Sequence, residues 1–244
     1  MRRFTLQPDQ RAGARVTFDA DESRHLARVL RLRPGDTVLA TDGAGRDFTV
    51  RLESIGERAT GTVLAEAAGV GASPLAITLI QGVPKGDKME TIVRAATELG
   101  VACVRPALCE RTIVRLEPGR WRDRARRWQR VAREAAKQSR RAVIPEVEAP
   151  RPLTDVLAAR QPADLPLCLW EAEGMPLRDV LAAAVAPRSA VVLVGPEGGL
   201  ARAEVELARG LGFTVVSLGP RILRTETVGP ALAAILQSRF GDLG

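Results

Sequence analysis

The stretch Leu75-Ala-Ile-Thr-Leu-Ile-Gln-Gly-Val-Pro-Lys-Gly-Asp-Lys-Met-Glu-Thr-Ile-Val-Arg-Ala-Ala-Thr-Glu-Leu-Gly-Val-Ala-Cys-Val-Arg-Pro-Ala107 decides the fold class. Residues 75–83 form a short apolar run, the pattern of a strand buried on both faces. Residues 86–99 repeat apolar positions at helical spacing, and Gly100 stands where a helix-ending glycine belongs. Residues 101–107 are apolar again. A buried strand, a helix and a second buried strand make a β-α-β unit.

The same alternation runs to the C-terminus. Strands are expected at 165–169, 190–195 and 214–218, and helices at 120–139, 176–185, 203–209 and 225–238. Continuous apolar strands between helices predict an α/β domain with a parallel sheet, whose ligands lie at the carboxyl ends of the strands. The first 70 residues read differently. Short β-prone runs at 15–19, 37–41, 48–53 and 60–66 are separated by turn signals such as Asp42-Gly43, with one helix starting at an Asp21 cap and carrying His25, Leu26, Val29 and Leu30. This is the pattern of a small β-barrel. The small-residue run 67–74 divides the chain into domains 1–72 and 73–244.

Scarce residues narrow the chemistry. One histidine excludes a His-rich zinc site, and three cysteines without a C-x-x-C pair argue against disulfides and metal clusters. No metal is expected. No apolar run reaches a membrane span, and the start Met1-Arg2-Arg3-Phe4 does not read as a signal peptide, so a cytoplasmic location is expected. The net charge is +7, yet residues 111–141 alone hold 12 basic and 3 acidic residues. In that stretch Trp121, Trp128, Val131, Ala132 and Ala135 mark one apolar stripe, and most arginines fall outside it. An arginine-coated helix face attracts a polyanion.

Three loops carry the candidate chemistry. Val194-Gly195-Pro196-Glu197-Gly198-Gly199 follows a strand and is neither a dinucleotide fingerprint nor a P-loop. Its glycines let a ligand approach the backbone closely. Leu218-Gly219-Pro220-Arg221-Ile222-Leu223-Arg224-Thr225-Glu226-Thr227 sets two arginines and a carboxylate around a turn. Lys85 and Lys88 are two of only three lysines in a chain that otherwise uses arginine.

The motifs K-G-D-K-M-E (85–90), A-T-E-L-G-V (96–101), E-R (110–111), E-A-A-K-Q-S-R-R (134–141), G-P-E-G-G (195–199) and L-G-P-R-I-L-R-T-E-T (218–227) occur in this order. With them, the chain resembles the ribosomal RNA small subunit methyltransferase E family of the SPOUT superfamily. His25 to Arg31, Gly35 and Asp42-Gly43 are similar to its front domain. One departure is Val228, where the family often has alanine; tighter packing is expected there. The resemblance implies a PUA-like RNA-binding barrel, then an α/β domain with a C-terminal trefoil knot. It also implies S-adenosylmethionine as cofactor, a homodimer, and N3-methyluridine in 16S rRNA of the small ribosomal subunit as product.

In that reading the cofactor is held by Val194, Gly195, Pro196, Glu197, Gly198 and Gly199, and by Leu218, Gly219, Ile222 and Leu223. Leu169, Trp170 and Glu171 supply the remaining wall. Arg224, oriented by Glu226, stands nearest the chemistry; Glu226 is the candidate proton acceptor and Arg221 a second charge stabiliser. RNA contacts are assigned to Arg2, Arg3, His25, Arg28, Arg31, Lys85, Arg111 and Arg140. The rivals are a SPOUT enzyme acting on tRNA or a ribose 2′-hydroxyl, an RNA binder without catalysis, and a nucleotide- or NAD-dependent α/β enzyme.

Overall fold

The computed structural model describes residues 3–69 and 73–244. The residues 70–72 within the run 67–74 lie outside the described residues. The chain divides into two compact units, Met1–Ala72 with Ala136–Ile144, and Ser73–Ala135 with Pro145–Gly244.

The first unit is built on six strands: β1 (Arg3–Thr5), β2 (Arg11–Ala12), β3 (Arg15–Thr17), β4 (Thr37–Thr41), β5 (Arg46–Ser54) and β6 (Thr60–Ala68). Their order is β1-β4-β5-β6-β3-β2; β1 runs parallel to β4 and the other pairs are antiparallel. Strand alternation turns Phe4, Phe18, Val38, Phe48, Val50 and Leu52 into one apolar core. The helix α1 (Ala20–Arg24) starts earlier than expected, because Asp19 rather than Asp21 caps it; its side chain accepts from the Glu22 amide at 2.8 Å. A π-helical turn over His25–Val29 follows. The wider turn breaks the expected helical stripe: Leu26 is buried, whereas His25 and Val29 are exposed.

Residues 136–144 join this unit from far along the chain. The Ala142 carbonyl accepts from Thr41 Oγ1 and the Gly45 amide, both at 3.1 Å, and the Ile144 amide donates to the Gly43 carbonyl at 2.9 Å. Gly69 is required beneath this segment, since a Cβ there would lie 2.2 Å from Ala142 Cβ. Two ion pairs seal it. Lys137 meets Glu22, whose side chain is only 7% exposed, and Arg3 meets Asp47 while also donating to the Arg140 carbonyl. The motif 134–141 thus supplies much of its charge to internal contacts.

The second unit carries eight strands: β7 (Ala76–Gly82), β8 (Cys103–Leu108), β9 (Glu146–Val147), β10 (Arg151–Pro152), β11 (Leu165–Leu169), β12 (Met175–Pro176), β13 (Ser189–Val194) and β14 (Thr214–Ser217). The order is β10-β8-β7-β13-β11-β14-β12, with β9 also on β8, and every pair is parallel. The helices are α2 (Lys88–Glu98), α3 (Pro118–Ser139), α4 (Leu153–Ala158), α5 (Leu177–Ala183), α6 (Arg202–Gly210) and α7 (Thr225–Phe240). Gly100 has φ +82°, the left-handed conformation that ends α2. Trp121, Trp128, Ala132 and Ala135 of α3 are buried, and Val131 is half-exposed.

Breaking a buried ion pair from one side leaves a desolvated charge. Lys137→Met is therefore expected to destabilise the protein by about 3 kcal/mol in urea unfolding. Adding Glu22→Gln should recover much of that loss, because the stranded carboxylate is then gone. Equal stability of Lys137→Met and the parent would show that the pair does not hold the segment in place.

Candidate active site

Strands β7, β13, β11 and β14 are neighbours in that order. Their carboxyl ends deliver loops to one edge of the sheet, and these enclose a cavity of about 340 Å³. Leu169, Trp170 and Glu171 follow β11. Val194, Gly195, Pro196, Glu197 and Gly199 end or follow β13, and Leu218, Gly219, Arg221, Ile222, Leu223 and Arg224 follow β14. Glu226 lines it from the first turn of α7. Gly198, assigned to the same wall from sequence, does not line the cavity; its carbonyl instead accepts from Arg111 at 2.9 Å.

The loops are fixed by a buried polar hub. Thr225 Oγ1 donates to the Gly195 carbonyl at 2.7 Å. Gln81 Nε2, at the end of β7, donates to Thr225 Oγ1 at 3.0 Å and to the Gly82 carbonyl at 3.0 Å. Both side chains are buried, so the contacts act where water does not compete. Gly195 cannot be replaced without moving this loop: a Cβ would stand 2.8 Å from the backbone of Gly199 and Leu200. The hydrogen bonds that give Gln81 and Thr225 these roles span 30, 114 and 144 residues, so no local signal marks them.

Charge is arranged around one lysine. Lys88 Nζ lies 3.0 Å from Glu197 Oε1 and 3.4 Å from Glu226 Oε2. The Glu197 carboxylate also accepts from the Lys85 amide at 3.2 and 3.3 Å. The hydrogen bond to Glu197 leads the causes that raise the Lys88 pKa, so its ammonium stays charged. Burial pushes the Glu197 carboxyl up, but backbone amides and Lys88 outweigh it and hold the group below the usual carboxylate range. The expected pairing of Glu226 with Arg224 is not what the structure shows, because Glu226 faces Lys88. Arg221 and Arg224 are exposed at the cavity and have no ion-pair partner among the described residues. Lys88 itself was visible in the sequence as a rare lysine, without a role. Val228 lines the cavity half-exposed rather than tightly packed.

The assigned RNA contacts divide by placement. His25, Arg28, Arg31, Lys85 and Arg140 are exposed; the His25 ring also meets Phe4 edge-on at 5.9 Å. Arg3 is buried against Asp47, and Arg111 is spent on the Gly198 carbonyl. Arg2 lies outside the described residues. Burial drives the Cys109 and Cys168 thiols up to about 12 and Cys103 to about 11, so none offers a thiolate. Among the described residues no cluster of His, Cys, Asp and Glu is placed to hold a metal, and no helix is long and apolar enough to cross a membrane.

The profile of the RNA methyltransferase domain matches residues 71–237, and that of the RNA methyltransferase PUA domain matches residues 18–60. The ribosomal RNA small subunit methyltransferase E of Synechocystis is 37% identical over 228 residues, covering 92% of this chain and 73% of its own. The chain belongs to the ribosomal RNA small subunit methyltransferase E family. The Bacillus subtilis member of the family is 30% identical over 86% of this chain and 85% of its own. Among solved structures, the family member from Neisseria gonorrhoeae, bound to S-adenosyl methionine, superposes with a TM-score of 0.89. It is 35% identical, with both chains fully covered. A methyltransferase from Legionella pneumophila in complex with the same cofactor gives a TM-score of 0.90 at 30% identity, covering 99% of this chain and 98% of that one.

Thr225→Val keeps the shape of the hub but strips the hydroxyl. It should destabilise the protein by about 1 to 3 kcal/mol, the cost of leaving buried polar partners unmet, as read by urea unfolding. Glu197, lowered, contributes stability above its ordinary titration range that is lost as pH falls through its folded value. Lys88, raised, contributes below its ordinary range, and loses it as pH rises through its folded value. The stability difference between parent and Lys88→Met should therefore stay flat between about pH 5 and 9 and shrink below about pH 4.

Proposed function

We propose that the chain transfers a methyl group from S-adenosylmethionine to N3 of a uridine in 16S rRNA of the small ribosomal subunit. The observation that carries this reading is the cavity walled by three loops at the carboxyl ends of neighbouring parallel strands, in a chain of this family. Its size suits a nucleoside-sized ligand. The donor set also fits. Gly219, with open space where a Cβ would stand, leaves its backbone open to close approach, Leu169, Leu223 and Ile222 offer apolar walls, and Trp170 offers a flat one. Glu171, which has no ion-pair partner among the described residues, complements a cationic sulfonium. When bound, the cofactor supplies an electrophilic methyl group with a neutral thioether as leaving group.

The chain's own residues then position and manage a proton. Glu171 is placed to accept from ribose hydroxyls, and backbone groups of the loops at 194–199 and 218–223 frame the ligand. Uracil N3 carries a proton that must leave for methylation. Glu226 accepts it, and Lys88 holds that carboxylate at the cavity wall. Arg224 and Arg221, unpaired at the cavity, stabilise negative charge on the uracil oxygens. Positioning and charge control are the enzyme's main contributions, since the leaving group is already good.

In this reading residues 1–72, completed by 136–144, form the PUA-like RNA-binding domain, and the rest of 73–244 forms the SPOUT methyltransferase domain. Its C-terminal loops form a trefoil knot, and the placement of β13 and β14 on opposite sides of β11 is compatible with such a crossing. The working form is a cytoplasmic homodimer. Exposed His25, Arg28, Arg31, Lys85 and Arg140, with Arg2, contact phosphates; Arg3 and Arg111 act through the surfaces they brace.

The test is methyl transfer from radiolabelled S-adenosylmethionine to small subunits from a strain lacking its own enzyme, with nucleoside analysis. N3-methyluridine in 16S rRNA is expected; label in a ribose-methylated nucleoside or in tRNA would overturn the substrate. Arg224→Ala should lower kcat at least 100-fold while cofactor affinity stays within a few fold, and Glu226→Gln should lower kcat about 100-fold by removing the proton acceptor. Unchanged turnover in either variant would reject that residue's role.

A further inference from the structure

We infer that one face of α3, the row Arg122, Arg126, Arg130 and Arg133, is a docking ridge for the phosphate backbone of the RNA substrate. The inference rests on the RNA-modifying reading above and narrows the arginine-coated stretch, expected from sequence to attract a polyanion, to one row of residues and one occupant. Several cations of the basic stretch are already occupied. Arg111 is committed to the Gly198 carbonyl, Arg127 to Glu90, and Lys137 to Glu22, while Arg141 is buried. Arg122 and Arg130 are exposed and Arg133 half-exposed, each without an ion-pair partner among the described residues. Arg126 has Asp123 three residues away, an exposed pair of the kind that contributes little and is screened by salt.

Helical geometry turns these four into a line. Steps of four, four and three residues advance about 6, 6 and 4.5 Å along the axis and keep the side chains on one side of the helix. A separate side is occupied by Trp121, Ala125, Trp128 and Ala132, all buried. The ridge is therefore held rigidly by its own core contacts. A row of guanidiniums with a regular short stride suits a repeating anion, and each planar fork can take two phosphate oxygens. An acidic protein partner would call for apolar anchors among the charges. None of the exposed large apolar side chains among the described residues falls within α3. A phosphate-binding ridge positions the RNA and does not read its sequence.

The experiment uses the full chain carrying Arg122→Gln, Arg126→Gln and Arg130→Gln. The control is Arg178→Gln, Arg188→Gln and Arg209→Gln, which removes the same charge from exposed sites elsewhere. Binding to 16S rRNA and to small subunits is measured between 50 and 300 mM KCl, with methyl transfer and cofactor affinity alongside. The ridge variant should bind at least tenfold more weakly at low salt, and its log Kd against log salt slope should fall by about three, one for each arginine removed from a phosphate. Its cofactor affinity, melting temperature and kcat at saturating substrate should match the parent, and the control should keep the parent slope. An unchanged slope in the ridge variant overturns the inference, as does an equal fall in the control. Weaker binding to subunits with unchanged binding to naked rRNA would overturn it too, assigning the face to a protein partner instead. Failure of the unmutated enzyme to methylate rRNA would sink the reaction assignment, while the binding slopes would still decide the ridge.

Discussion

The hydroxyl of Thr225 is the contact on which the rest of the site depends. It joins the first turn of α7 to the Gly195 carbonyl, and it receives the amide of Gln81 from the end of β7. Three segments far apart in sequence are thereby held at one edge of a parallel sheet. A buried hydrogen bond of this kind specifies geometry more than it adds stability, because any displacement strands polar atoms away from water. Gly195 completes the constraint by admitting no side chain. The cavity is the space these restraints leave between the loops.

Charge follows the same logic in both units. Lys88 is shared by two carboxylates that line the cavity, so one ammonium fixes the loop after β13 and the start of α7 together. In the first unit Lys137 and Arg3 answer buried carboxylates and pin a distant segment. A chain with excess positive charge thus spends part of that excess on internal order. The row Arg122, Arg126, Arg130 and Arg133 of α3 lies on a different side of the helix from the buried tryptophans.

Much of the second unit was legible because buried parallel strands are apolar throughout and their helices are amphipathic. The strands at 165–169 and 214–217, the C′ role of Gly100 and the burial of Trp121 and Trp128 follow from local pattern alone. The two-residue strands β9, β10 and β12 left no periodicity to read, and neither did β1 and β2. The π turn at His25–Val29 is invisible to a helical template, which grouped Val29 with Leu26, whereas only Leu26 is buried. The loops around the cavity were legible as glycine-rich breaks, and the motif order pointed to the family. Pairings across the site were not: sequence spacing joined Glu226 to its neighbour Arg224, whereas folding brings Lys88 to it from 138 residues away. The internal contacts of Arg3 and Arg111 were not legible for a related reason, since a basic residue near a functional motif reads the same whether it meets solvent or a carbonyl.

The return of residues 136–144 to the first unit has a consequence for how the protein is made. A domain continuous in sequence can close as soon as its last residue leaves the ribosome. This one cannot, because Lys137 and Ala142 are synthesised some 70 residues after Gly69, which lies against Ala142. At roughly 5 to 20 residues per second, the nascent sheet waits several seconds with Glu22 unpaired and the Gly43–Gly45 edge open. During that interval β7, α2 and β8 emerge, so the cavity-bearing sheet begins to assemble before the barrel-like unit is complete. A protein whose N-terminal unit is finished by a later segment is thus exposed to errors of timing as well as of sequence.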